Sequence, residues 1–131
     1  MGTEEEYSEE DAELLAQMRQ DFLEECQEFL DKLSIGLANL EAEPENQEVI
    51  NEIFRIAHTI KGSASFVGLD EIRELAHKME DVFSAIRENT LKVGPSLIDL
   101  MYKSLAQLTI LKSKADATDE TPTDISALIA E

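Results

Sequence analysis

The sequence predicts an all-α protein: an antiparallel four-helix bundle followed by a short fifth helix near the carboxyl end. Three observations carry that prediction. Only 5 glycines and 3 prolines interrupt 131 residues. Between them the apolar residues recur every three or four positions rather than every two, and Pro44, Gly68, Gly94 and Pro95 fall where those runs end. A chain of this length holds one domain with its own core. Residues 1–7 are expected to form an acidic flexible terminus, residues 8–113 the bundle, and residues 114–131 a linker and the fifth helix.

The first helix runs from about Ser8 to Glu41. Ser8 with Asp11 three positions later is a start signal, and Leu15, Phe22, Cys26, Phe29, Leu33, Leu37 and Leu40 form the apolar seam. Glu43-Pro44-Glu45-Asn46 ends this helix, because proline disfavours helical backbone in the residue before it. In the second helix Ile50, Ile53, Ala57, Ile60, Ala64 and Val67 keep three-four spacing, as a bundle seam does. Gly68 stops it, and Leu69, Ile72, Ala76, Met79, Phe83 and Ile86 repeat the spacing in a third. So short a link forces an antiparallel hairpin, which makes the second and third helices neighbours. After a loop over Asn89 to Gly94, Pro95 stands at a first helical position. Leu97, Ile98, Met101, Leu105, Leu108 and Leu111 then mark a fourth helix. Lys112 to Glu120 reads as polar linker, and Thr121-Pro122-Thr123-Asp124 starts the short fifth helix ahead of Ile125, Leu128 and Ile129.

Charge narrows the function classes. The formal net charge is -18, from 29 acidic and 11 basic side chains; phosphate backbones and anionic lipids repel such a molecule, so nucleic acid is not an expected partner. No apolar run approaches the roughly 20 residues that span a bilayer, and no direct membrane insertion is expected. The Glu-rich start lacks the regions of a signal peptide. A single cysteine forms no internal disulfide and suits a reducing, cytoplasmic compartment. The charge is unevenly spread: residues 1–54 carry 2 basic and 17 acidic side chains, whereas residues 55–92 carry 6 of each. The basic side chains are thus gathered into the middle segment.

Within that segment one histidine lies on the wrong side for a core residue. At roughly 100° per residue, His58 points about 120° from the seam centre near Ala57 and Ala64. Lys61, Gly62 and Ser65 share or flank its face. Glycine inside a helix costs about 1 kcal/mol relative to alanine, and Gly62 also faces outward, so close approach of a neighbouring helix does not explain it. A cleared approach to His58 does. On the third helix His77 and Glu80, three residues apart, lie on the flank bordering the second. His58, Lys61, His77 and Glu80 therefore form a candidate cluster of nucleophile, cation and carboxylate.

A neutral imidazole is a good nucleophile near neutral pH, and a carboxylate bonded to one ring nitrogen fixes the tautomer that exposes the other lone pair. Glu80 is the candidate orienter. Lys61, one turn from His58, offsets the charge of an arriving phosphoryl group. No glycine-rich nucleotide loop or magnesium-binding Asp pair is visible, so such a chain could accept and donate a phosphoryl group but is not expected to draw it from ATP unaided.

The string Ile56-Ala57-His58-Thr59-Ile60-Lys61-Gly62-Ser63-Ala64-Ser65, then Gly68-Leu69, then Leu75-Ala76-His77-Lys78-Met79-Glu80-Asp81, resembles the histidine phosphotransfer (HPt) domain family. It looks more like the amino-terminal domain of CheA-type chemotaxis histidine kinases than like free-standing phosphorelay carriers. The resemblance covers most of the chain and includes the fifth helix. It implies that His58 is phosphorylated, that Glu80 hydrogen-bonds its ring, that Lys61 and His77 assist, and that Gly62 keeps the phosphorylation site clear. It further implies two partners, the ATP-binding domain of a histidine kinase and a response-regulator receiver whose aspartate takes the phosphoryl group, with no cofactor. Gly62 and Ser65 are the expected docking positions. Ser65-Phe66-Val67 departs from a pattern in which many relatives have glycine and an aromatic, a difference that bears on which receiver docks.

Two rival readings compete with this one. Glu74-Leu75-Ala76-His77 is the Glu-x-x-His unit used twice in di-iron bundles. Here there is one copy, Arg55 stands three before His58 where a ligand should be, and Glu74 points away from the seam, so no metal site is expected. A docking module with an unphosphorylated histidine keeps the bundle but needs neither Glu80 nor Lys61. Cys26, on an apolar seam without a basic neighbour, reads as a buried thiol.

Overall fold

The computed structural model describes residues 9–117, and within them the chain is helical, with no strand. The helices are α1 (Glu9–Ala42), α2 (Gln47–Val67), α3 (Asp70–Arg87) and α4 (Pro95–Asp116). Four of the boundaries have a clear local cause. Asn46 caps α2, its side-chain oxygen accepting from the backbone N–H of Glu48 and Val49 at 3.0 and 3.4 Å. Gly68 takes φ 77°, and the N–H groups of Gly68 and Leu69 close back on Ser65 and Ala64, a Schellman ending that favours glycine. The same pattern ends α3: Asn89 is left-handed at φ 63°, and the N–H of Thr90 returns to the Ala85 carbonyl at 2.9 Å. Pro95 opens α4, where the missing N–H is not needed.

Adjacent helices run antiparallel. Along the α2–α3 pair, Lys61 meets Glu80 and Phe54 meets Arg87, so contacts recede from the turn on both helices together. Along α1–α2, Arg19 reaches the Val67 carbonyl at 3.1 Å while Gly36 abuts Ile53. Near the start of α1, Gln20 bonds Asp116 at the end of α4 at 3.3 Å. Helix α1 also packs on α4 and α4 on α3, closing a four-helix ring around one core. At 34 residues α1 is roughly 50 Å long. Its first turns extend beyond the core, with Leu14 exposed.

The six seam residues expected in α2 are all buried, as are Ile72, Ala76, Met79, Phe83 and Ile86 in α3. Elsewhere the helices depart from the expected seams. The α1 stripe is wider than one residue per turn: Leu23 and Leu30 are core, whereas Leu15 and Phe29 are half-buried. Leu69 sits half-buried ahead of α3. In α4 Leu97 and Leu105 are half-buried, and Ser104 takes a core position by donating its hydroxyl to the Leu100 carbonyl at 3.0 Å. Lys112–Asp116, expected as linker, is the last turn of α4, where Lys112 pairs with Asp116 at 3.4 Å. Cys26 is buried as expected, but it has a basic neighbour in Lys112. Burial pushes the thiol up to about 11, and the Lys112 charge only partly opposes this. Ser8, the acidic terminus and the proposed fifth helix lie outside the described residues.

Candidate functional site

Helix α2 turns its seam inward, and this alone fixes what faces out. His58 lies between buried Ala57 and exposed Thr59 with its side chain 61% exposed. The short Gly68 turn folds α3 back alongside and lays Glu80 against this outer face. Glu80 is the one charged side chain buried among the described residues. Its Oε2 is 2.5 Å from His58 Nδ1 and its Oε1 2.7 Å from Lys61 Nζ, so the two carboxylate oxygens are shared between two side chains of α2.

The electrostatics follow from that geometry. Burial pushes the Glu80 carboxyl up, but hydrogen bonds from Lys61 and His58, with the charges of both, outweigh it and hold the group below the usual carboxylate range. An ionised carboxylate only accepts, so His58 must donate through Nδ1–H. In the neutral ring this leaves Nε2, at the far side, with a free lone pair. The site can therefore present an oriented nucleophile to solvent, with an ammonium group one turn away. A buried carboxylate holds both.

The other candidates fall differently. Gly62 is exposed, and a Cβ there would meet nothing within 4 Å, so no neighbouring helix requires the glycine. Ser65 is exposed two turns past His58. Gly62, Phe66, Met18 and Phe22 line a shallow cleft between α2 and α1, and Phe66 is exposed beside it. His77 stands apart from the short contacts that join His58, Lys61 and Glu80. It is half exposed, and its Nε2 faces Asp81 at 3.7 Å. Two residues escaped the sequence reading. The Phe54 ring lies nearly parallel to the His58 ring, at 9° with centroids 6.2 Å apart, and the Arg87 guanidinium sits 4.0 Å from the Phe54 centroid. The available signal was the four-residue spacing from Phe54 to His58, which places both on one helical face.

The Hpt domain family model matches residues 17–128. A sensor histidine kinase CheAY of Helicobacter pylori is 38% identical over 108 residues, which is 82% of this chain and 13% of that protein. The chain thus spans a small part of the curated relative it matches. Among solved structures, the CheA phosphotransferase domain from Thermotoga maritima is 31% identical with a TM-score of 0.72, over 76% of this chain and 94% of that one. A solution structure of the histidine phosphotransfer domain of CheA has a TM-score of 0.77 at 29% identity, over 84% of each chain.

Proposed function

This chain belongs to the Hpt domain family, and from that membership we propose that His58 accepts a phosphoryl group and passes it to an aspartate. The donor is the ATP-binding domain of a CheA-type histidine kinase and the acceptor a response-regulator receiver, in the cytoplasm. The supporting observation is the Glu80 carboxylate shared between His58 Nδ1 and Lys61 Nζ. It leaves Nε2 as the attacking atom. In the forward step the Nε2 lone pair forms a bond to the γ-phosphorus of ATP while the bond to the bridging oxygen breaks, and ADP leaves with that electron pair. The ring is then positively charged, and Glu80 at Nδ1–H stabilises it. In the second step a receiver carboxylate oxygen attacks phosphorus, and the Nε2–P electron pair returns to the ring.

Lys61 stands where it offsets phosphoryl charge. His77 assists only from the rim, its partner being Asp81. Gly62 and Ser65 form the docking surface, an exposed strip beside the cleft that Phe66 borders. No helix among the described residues is long and apolar enough to cross a membrane.

The test is intact mass after incubation with phosphoramidate, a small phosphodonor, on wild type and His58→Gln, with a check of acid lability. An acid-labile gain of one phosphoryl group in wild type alone is expected. No gain by a folded wild type leaves a docking module instead.

A further inference from the structure

An exposed imidazole samples several rotamers. The Glu80 contact fixes one atom of the His58 ring, and a ring held at a single atom still swings about that contact. A second restraint is present on a different part of the ring. Phe54, one turn earlier on α2, lies nearly parallel to it at 9°, with centroids 6.2 Å apart, within the range of offset aromatic stacking. Phe54 is only half-buried and is itself held from α3, by the Arg87 guanidinium 4.0 Å from its centroid. Arg87 and Glu80 are seven residues apart, two helical turns, and so share one face of α3. Helix α3 thus reaches the His58 ring by two routes: directly through Glu80 at Nδ1, and indirectly through Arg87 and Phe54 at the ring plane.

We propose that Phe54, held by Arg87, is a positioning residue that fixes the plane of the His58 ring. The inference rests on His58 being the acceptor only for its kinetic consequence. The Nε2 lone pair lies in the ring plane, and displacement at phosphorus needs that lone pair in line with the breaking P–O bond. Glu80 sets which nitrogen carries the lone pair; Phe54 sets where that lone pair points.

The test uses the 131-residue chain with isotope-labelled histidine and three variants, Phe54→Leu, Phe54→Tyr and Arg87→Gln, each checked for native helical content. Leucine keeps apolar bulk without a ring, and tyrosine keeps the ring. NMR relaxation of the His58 ring carbons reports its angular order, and the rate of labelling by phosphoramidate across pH reports reactivity. In Phe54→Leu the ring order falls and labelling slows about 3- to 10-fold at every pH, with the midpoint of the profile unmoved. Phe54→Tyr restores both, and Arg87→Gln loses part of each. A folded Phe54→Leu whose His58 ring is as ordered as in wild type overturns the proposal, as does labelling at the wild-type rate. If wild type itself takes no phosphoryl group, the acceptor reading fails, and the ring order alone decides for or against Phe54.

Discussion

The Nδ1 of His58 and the Oε2 of Glu80 lie 2.5 Å apart, joining the most exposed polar side chain of the site to its most buried one. The other Glu80 oxygen holds Lys61 at 2.7 Å. Deleting this carboxylate therefore affects chemistry more than folding. In Glu80→Ala, His58 and Lys61 both reach water, being 61% and 28% exposed, so neither polar group is stranded in the core. Stability should fall by only about 1 kcal/mol. Phosphoramidate labelling should slow by about 10- to 100-fold, because both tautomers and many ring orientations become accessible. Unchanged labelling in the folded variant removes Glu80 from the mechanism.

The same carboxylate gives a pH signature. An unfolded chain keeps the ordinary Glu value of 4.5, whereas in the fold the group lies lower, because the hydrogen bonds from Lys61 and His58 overcome burial. A depressed folded value means the contribution is complete above the unfolded value and disappears as pH falls through the folded one. The difference in urea midpoint between wild type and Glu80→Ala should therefore hold steady from about pH 5.5 to 4.5 and shrink on further acidification. A difference that persists unchanged at about pH 2.5 assigns the stabilisation to packing rather than charge.

Gly36 and Gly62 lie in opposite surroundings, buried against Ile53 and open to solvent, and alanine should act oppositely at the two. A Cβ at Gly36 would overlap Ile53 Cγ2, on a residue with no exposed surface and a stiff β-branched side chain. Gly36→Ala gains about 1 kcal/mol of helix propensity and loses about 1–3 kcal/mol to overpacking, so thermal stability should drop. Adding Ile53→Ala removes the clash, and the double variant should lose less than the sum of the two singles. Strict additivity shows that α1 and α2 separate freely at this crossing.

How much of this was legible follows from the range of each signal. The seam of α2 and the outward placement of His58 follow from helical periodicity, which is local. Glu80 was legible because the Gly68 turn dictates which flank of α3 borders α2. Phe54 and Arg87 were not, since an aromatic at four-residue spacing looks like core and a terminal arginine looks like solvated charge. Ser104 displaced Leu105 because a serine hydroxyl can satisfy itself on the preceding turn, which hydropathy does not register. At the end of α4 Asp116 bonds Gln20 across the bundle, a contact between distant parts of the chain that local patterning does not register. The charge of Lys112 near Cys26 depends on the same long-range packing.

Gly62 tests whether the surface beside His58 is kept bare for a partner. A side chain there meets nothing within 4 Å, so Gly62→Ala should raise stability by about 0.5–1 kcal/mol through reduced unfolded-chain entropy. A stabilising substitution that the fold accepts without cost points to a function that opposes it. Gly62 is one turn from His58 and borders the cleft shared with Phe66 and Met18, so an added methyl group stands in the path of a docking domain. Transfer from phosphorylated Gly62→Ala to a receiver should therefore slow several-fold, while labelling by phosphoramidate, which needs no docking, slows less. Equal rates with the receiver in the stabilised variant mean that the face past Gly62 is not contacted, and place docking on the opposite flank of His58, toward Lys61 and α3.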